Sequence, residues 1–129
     1  MCREKVMTIN ERNFPCSQDG LVAAQQFLTS FCDEPKPAIV FDEIVSNIVR
    51  CSGADVFSFG LAHVPEGLLM RFADNGTAFD PTRDMPEVDI KASAAERRIG
   101  GLGIFMVRKM SKTLAYERRD GWNVLTVTL

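Results

Sequence analysis

The chain has 129 residues, a formal net charge of −2 and 25% charged residues, with both signs interspersed. This length suits a single domain over residues 1–129 that buries its own core without disulfides or a structural metal. The charge balance argues against a basic platform for direct contact with nucleic acid. The sequence contains no run of about 18 apolar residues and no charged-then-apolar leader, so we expect a cytoplasmic protein with no membrane contact.

The cysteines indicate neither a metal site nor a redox site. They form no CxxC pair, and a single histidine, His63, cannot complete a zinc site with them. The four are Cys2, Cys16, Cys32 and Cys51. We therefore expect reduced, structural thiols.

The first part of the chain predicts a short strand followed by two helices. Residues 5–9 alternate enough for an edge strand, which the polar residues from Asn10 to Asn13 and then Pro15 would end. Apolar residues at helical spacing predict a helix over residues 18–31, and the two prolines that follow cannot continue it. A second helix is predicted over residues 38–51, with an apolar surface broad enough to pack on a sheet.

Glu43 and Asn47 interrupt the apolar pattern of this second helix. Because they are spaced i to i+4, they project from the same face one turn apart. A carboxylate and an amide oxygen could thus converge on one ligand. The simpler interpretation is an exposed stripe on a half-buried helix, and the two residues alone do not exclude it.

The middle of the chain predicts a β-hairpin and a long loop. Residues 56–62 and 68–73 are rich in β-forming residues and flank a Pro-Glu-Gly turn. Gly60, inside the first of these strands, indicates a bulge or a close packing contact. Residues 82–99 show no clear period, and since so long a loop in a compact domain is usually functional or mobile, we interpret it as a lid.

The last part predicts a third helix and a second hairpin. The helix is expected over residues 103–110, and strands over 114–118 and 122–129 flank an Arg-Asp-Gly turn. The apolar residues of this helix are expected to face the core: Ile104, Phe105, Val107 and Met110. The order of elements predicts an α+β, two-layer sandwich, in which a mainly antiparallel, mixed sheet of about five strands carries three helices on one face.

Two glycine-containing motifs could contact a ligand. Asp74 ends a predicted strand and Gly76 follows, which suits either a plain Asx turn or a carboxylate that accepts from an exocyclic amine beside a flat ring such as adenine. Gly100, Gly101 and Gly103 precede the third helix, where a bare main chain and free N–H groups could receive phosphates. Taken alone, such glycines are more often a sharp turn.

Three segments, in this order and at these spacings, resemble the motifs of the histidine-kinase-like ATPases, the Bergerat or GHKL fold. The segment from Glu43 to Asn47 resembles the N box, that from Asp74 to Pro81 the first glycine box, and that from Gly100 to Ile104 the second glycine box. The resemblance covers nearly the whole chain. The small size and the strings FDP, IGGLGIFMVRKM and ERRDGWNVLTVTL are most similar to the stand-alone anti-sigma-factor serine kinases.

The resemblance implies a role for each motif. Asp74 would accept a hydrogen bond from the adenine of ATP, with Gly76 beside the ring. Asn47 would supply an oxygen to Mg²⁺, and Glu43 would act as the general base. The phosphates would be held by the glycine turn and the end of the lid, namely Gly100, Gly101, Leu102, Gly103 and Arg98. Arg97 and Arg98 could neutralise developing phosphoryl charge, and contact with a partner or simple solvation would explain both about equally well.

The resemblance also implies partners. Members of this family use ATP to phosphorylate a serine on a small anti-anti-sigma protein of the STAS type, and otherwise sequester a sigma factor, commonly as a homodimer. The alternative is a non-catalytic, ATP-responsive binding module. Cys51 stands where relatives often have a histidine, and Asn123 near where many have a threonine that backs the adenine pocket. Neither residue decides whether phosphoryl transfer is retained.

Overall fold

The computed structural model describes residues 8–81 and 102–129, with the side chains of 102–104 left out. Within these ranges the chain forms five strands and three helices. In chain order they are β1 (Asn10–Pro15), α1 (Gln18–Phe31), α2 (Pro35–Cys51), β2 (Val56–Val64), β3 (Gly67–Asp74), α3 (Leu102–Met110), β4 (Thr113–Arg119) and β5 (Trp122–Thr128). None of the described helices is both long enough and apolar enough to cross a bilayer.

The two long helices begin where local chemistry favours a helix start. Ser17 caps α1, because its hydroxyl accepts a hydrogen bond from the Gly20 N–H at 3.2 Å. Helix α2 begins at Pro35, earlier than predicted, since both of its prolines fit the first turn, where a missing N–H removes no intrahelical bond. The predicted bounds of α1 are confirmed.

The sheet has the strand order β1-β2-β3-β5-β4, and all four pairings among the described strands are antiparallel. Both predicted hairpins are present. In the β4–β5 turn, Asp120 and Gly121 have φ values of 53° and 83°, the left-handed pair typical of a tight two-residue hairpin turn. The pairing continues through Gly60 without a bulge. Gly60 is instead a packing position, because a Cβ there would lie 2.7 Å from the Ile9 side chain.

The predicted position of the first strand was wrong. Strand β1 occupies the polar run that was expected to end it, while residues 8 and 9 are not in a strand and residues 5–7 lie outside the described ranges. The reason is that, among the described strands, β1 pairs only with β2, at the edge of the sheet. An edge strand tolerates polar side chains in solvent, and only Phe14 of its six residues is buried.

Alternate side chains of the strands form one apolar face, which the helices cover. The buried residues of that face are Phe57, Phe59, Leu61, Leu68, Met70, Phe72, Leu125 and Val127. Phe59 lies at its centre, with its ring 5.0 Å from the rings of both Phe41 and Phe72 and 6.0 Å from that of Phe27. These contacts join α1, α2 and the sheet, and the predicted two-layer α+β sandwich is confirmed.

Helix α3 faces the core with fewer residues than predicted. Val107 is buried and Met110 packs against the core, but Phe105 is 42% exposed, with the Lys109 ammonium 5.4 Å from its ring centre. Successive residues of a helix are about 100° apart, so Phe105 and Val107 point in nearly opposite directions and cannot both face the sheet. The prediction for Phe105 was therefore wrong, and the side chain of Ile104 is not among those that the structure describes.

Candidate functional site

One end of the helix-covered face of the sheet is polar. The register places Asp74 of β3 opposite Asn123 of β5, and Asn123 opposite Arg118 of β4. Asp74 and Asn123 are only 6% and 7% exposed, and Phe57, which pairs with Asp74 from β2, is also buried. A carboxylate and an amide thus occupy positions that alternation would assign to the core, at the point where β3 ends.

The Asp74 carboxylate is held on one of its two oxygens. Its Oδ1 accepts from the Gly76 N–H at 2.9 Å and from Asn123 Nδ2 at 3.1 Å. A buried carboxylate requires such partners. In the part of the chain that the structure describes, both hydrogen bonds to this side chain end on Oδ1. This arrangement leaves Oδ2 with the capacity to accept from a ligand.

The loop from Asp74 to Phe79 (the Asp74 loop) packs directly on the C-terminal end of α2. The Thr77 N–H donates to the Ser52 carbonyl at 2.9 Å. A Cβ on Gly76 would lie only 2.3 Å from the same carbonyl oxygen, so a side chain there would push the loop away. Gly76 therefore has a structural role that its sequence context did not predict: it lets the Asp74 loop contact the helix that carries Glu43 and Asn47.

Glu43 and Asn47 are half-buried and lie on the side of α2 that faces away from α1. Helix α1 contacts α2 near Asp42, whose Oδ1 accepts from Gln25 Nε2 at 3.1 Å. At about 100° per residue, Glu43 and Asn47 lie roughly 100° and 140° around the helix from Asp42. The described helix that packs on α2 besides α1 is α3. Asn47 therefore lies beside the buried Val40, whereas Glu43 lies between the exposed Lys36 and Arg50 on the outer side of α2.

Distance along α2 relates these side chains to the Asp74 loop. Asn47 is five residues before Ser52, which is about 7.5 Å along the helix axis at 1.5 Å per residue. Glu43 is one further turn away. The structure thus places Asn47 nearer than Glu43 to the end of α2 on which the Asp74 loop rests.

The predicted phosphate-binding residues are described only in part. Arg98, Gly100 and Gly101 lie outside the described residues, as does the whole of the predicted lid over 82–99. Helix α3 begins at Leu102, so Leu102 and Gly103 are in its first turn, where main-chain N–H groups have no intrahelical acceptor. Their contact with phosphates stays a prediction.

Sequence reasoning missed two residues of this site and gave no role to a third. Asn123 stood out only as a departure from a family pattern, yet it binds Asp74 directly. Tyr116 was missed, although its hydroxyl donates to Asn123 Oδ1. Arg118 was missed too, and its Nη1 donates to the Gly76 carbonyl at 2.9 Å. Alternation along β4 was the available signal, since it puts Tyr116 and Arg118 on the helix-covered face.

Cys16 lies near the same end of the sheet. Burial, followed by the negative charges of Asp74 and Asp55, raises the pKa of the Cys16 thiol above its ordinary value. The neutral thiol is therefore favoured there, as the predicted structural role requires. Cys51 is exposed at the end of α2.

Residues 20–129 match the family described as the histidine kinase-like ATPase domain. The chain belongs to this family, as the resemblance of its three motifs indicated.

Among individual proteins, it is similar to the serine/threonine-protein kinase BtrW of Bordetella bronchiseptica. The two are 41% identical over 111 residues, a stretch that covers 86% of this chain and 75% of BtrW.

Proposed function

We propose that this protein is an ATP-dependent protein-serine kinase and anti-sigma factor, which phosphorylates an anti-anti-sigma partner of the STAS type and sequesters a sigma factor. The observation that carries the proposal is the buried Asp74 carboxylate, held on Oδ1 in a loop that rests on the end of the Glu43–Asn47 helix. Membership of an ATPase family and similarity to a protein-serine/threonine kinase support it.

The geometry of Asp74 suits adenine better than guanine. Its Oδ2 would accept from the exocyclic amino group of adenine, whereas guanine presents a carbonyl oxygen at the same ring position. Two acceptors facing each other in a buried site leave both unsatisfied, which typically costs about 1–3 kcal/mol. We therefore expect ATP to bind roughly 10- to 100-fold more tightly than GTP.

The side chains of α2 fit a magnesium ion that arrives with a nucleotide. Mg²⁺ takes few protein ligands and fills its octahedron with phosphate oxygens and water. Among the described residues, no cluster of three or more His, Cys, Asp or Glu side chains is placed to hold a metal. Asn47, half-buried, would supply one amide oxygen. When bound, the ion would neutralise charge on the phosphates.

The other residues of the proposed site would contact the partner's serine and the phosphates. Glu43, one turn before Asn47, would orient the serine hydroxyl of the partner and accept its proton. The first turn of α3, at Leu102 and Gly103, would offer N–H groups to the phosphates together with the preceding Gly100 and Gly101. Arg98 would add positive charge there.

Calorimetry with Mg-ATP tests the nucleotide site. Asp74→Asn keeps the shape of the side chain but can turn an NH₂ group toward the adenine amine, so ATP should bind at least about tenfold more weakly. Asp42→Asn is the matched control, because Asp42 is an exposed residue of α2 directed toward α1. Equal affinities for the wild-type protein and Asp74→Asn would show that Asp74 does not contact adenine.

Transfer of label from ATP to a purified anti-anti-sigma domain tests the catalytic role. Glu43→Gln should remove phosphoserine formation while ATP still binds, and Glu34→Gln, an exposed change just before α2, should behave as the wild type. Transfer that survives Glu43→Gln would contradict the general-base role. A wild-type protein that binds ATP but never transfers phosphate would instead favour the non-catalytic binding module.

Partner capture tests the regulatory role. Pull-down from the native cell, with and without ATP, should recover a sigma factor in a nucleotide-dependent manner. Light scattering of the purified protein should show whether it is a homodimer when it does so. Recovery of no sigma factor in either condition would remove the anti-sigma part of the proposal and leave the kinase part.

A further inference from the structure

Asn123 is the centre of a hydrogen-bond network on three strands and a loop. Its Nδ2 donates to Asp74 Oδ1 at 3.1 Å and to the Thr77 carbonyl at 2.8 Å. Its Oδ1 accepts from the Phe79 N–H at 3.2 Å and from Arg118 Nη1 at 3.1 Å. The Tyr116 hydroxyl also donates to this oxygen. A buried carboxamide with so many partners is fixed in one orientation.

The network uses the whole hydrogen-bonding capacity of Asn123. A primary amide has two N–H donors and one carbonyl oxygen with two lone pairs. Both N–H groups already reach acceptors, and the oxygen already has three donors. Exchanging the nitrogen and oxygen of the amide would place donor against donor and acceptor against acceptor. Asn123 therefore has no group left for a ligand, and any effect it has on binding must act through Asp74 and the loop.

The loop from Asp74 to Phe79 is tied to Asn123 at three points: the Asp74 carboxylate, the Thr77 carbonyl and the Phe79 N–H. Arg118 adds a fourth connection through the Gly76 carbonyl. Because Asn123 and the Gly76 N–H both donate to one oxygen of Asp74, they fix the plane of the carboxylate and the side on which its second oxygen lies.

We propose that Asn123 is a positioning residue for purine recognition, which fixes the Asp74 carboxylate so that Oδ2 is aimed at the exocyclic amine of the base, with Tyr116 fixing Asn123 in turn. The inference rests on the proposed function, since it requires that Asp74 contact adenine. It gives Asn123 a role in base selection rather than in nucleotide affinity as a whole. Phosphate and sugar contacts are expected to be independent of it.

A pair of ligands that differ by one amino group tests this role. Calorimetry would compare Mg-ATP with the magnesium complex of purine riboside triphosphate, which lacks the 6-amino group. The full chain would be measured as wild type, Asn123→Ala and Tyr116→Phe. Thr126→Ala is the matched control, since Thr126 lies in the same strand with its side chain on the opposite face of the sheet.

The wild-type protein should prefer ATP over the analogue by about 10- to 100-fold, the ratio expected for a buried hydrogen bond to a charged group. Asn123→Ala should reduce that preference by at least about fivefold, mainly by weakening ATP, and should change the affinity for the analogue by less than about twofold. Tyr116→Phe should reduce it by about two- to threefold, because the aromatic ring stays in place and only one donor is lost. Thr126→Ala should retain the wild-type preference.

Three other results would contradict the inference, the proposed function or both. Equal weakening of both ligands by Asn123→Ala would show a purely structural role and overturn the inference while the proposed function stands. A wild-type protein that binds neither ligand would overturn both. If Asn123→Ala does not fold, Tyr116→Phe decides, and an unchanged preference in that variant overturns the inference.

Discussion

Replacing Gly76 by alanine should loosen the contact between the Asp74 loop and α2 even in the absence of nucleotide. A Cβ at this position would lie 2.3 Å from the Ser52 carbonyl oxygen and 2.8 Å from the Ser52 Cβ. The neighbouring atoms are main chain and Cβ, which cannot rotate away as the end of a long side chain can. Since ordinary contacts begin at about 3.4 Å, the loop and the helix end must separate by roughly 1 Å.

The size of this separation determines the expected losses of stability and activity. Overpacking of this kind typically costs about 1–3 kcal/mol, and for a domain of this size each kcal/mol lowers the melting temperature by about 3–5 °C. We therefore expect the nucleotide-free Gly76→Ala protein to melt roughly 3–15 °C below the wild type. A displacement of about 1 Å in a positioned site can reduce activity by about 100-fold. The phosphoryl transfer proposed above, followed with labelled ATP, should fall by roughly that factor.

The assay is thermal unfolding of the nucleotide-free protein, followed by calorimetry with Mg-ATP. Gly121→Ala is the control. Gly121 has a φ of 83°, so alanine is strained there, but an added Cβ meets no atom within 4 Å. It should lose about 1 kcal/mol of stability and bind ATP as the wild type does.

An unchanged melting temperature for nucleotide-free Gly76→Ala would refute the reasoning. Weaker ATP binding without lower stability would mean that the glycine serves only the adenine ring, as the family resemblance implies, and not the contact with Ser52. A loss of stability with intact ATP affinity would show that the loop and the helix end can separate without moving Asp74.

Other residues give further tests. Because its pKa is raised, Cys16 should be alkylated more slowly at pH 8 than Cys51, as site-resolved mass spectrometry would show. As the pH rises through 9.0, the ordinary cysteine value, the unfolded chain ionises first, so the urea midpoint should fall more steeply for wild type than for Cys16→Ser. Phe59→Ala should cost about 3–5 kcal/mol in urea unfolding, since Phe59 is fully buried among aromatic rings. Arg71→Ala should cost less than about 1 kcal/mol in the same assay, because its pair with Glu11 is 4.0 Å long and exposed.

Local patterns predicted most of the fold because the decisive interactions are local. Helix α1 has both an N-cap at Ser17 and apolar residues at a regular spacing, and its approximate predicted bounds agree with the structure. The β4–β5 hairpin was predicted from Asp120-Gly121, the pair that accommodates left-handed φ values. In each case one short stretch of sequence contains the cause.

The errors occur where a distant partner decides. Residues 10–15 have poor strand propensity, yet pairing with β2 across more than forty positions of sequence makes them a strand. Phe105 is as apolar as its neighbours, but the orientation of α3 on the sheet decides which of them is buried. Neither fact can be obtained from the residues themselves.

The candidate site could likewise be predicted from the sequence only in part. Asp74 and Gly76 could be proposed from sequence, because a carboxylate at a strand end followed by a glycine is a local signal. The connection of Asn123 to Asp74 could not, since it depends on β3 lying beside β5, with a separation of 49 residues between the two side chains. The packing of Gly76 on Ser52 likewise depends on how α2 ends against the sheet.

The loop after Asp74 is held from two sides, and this links the two halves of the proposed site. Ser52, at the end of α2, binds the Thr77 N–H, while Asn123, on β5, binds the Thr77 carbonyl. One peptide segment is thus connected to the helix that carries Glu43 and Asn47 and to the strands that fix Asp74. Movement of α2 relative to the sheet would have to stretch one of these hydrogen bonds. The position of the Asp74 carboxylate and the position of the α2 side chains are therefore linked through the two hydrogen bonds of Thr77.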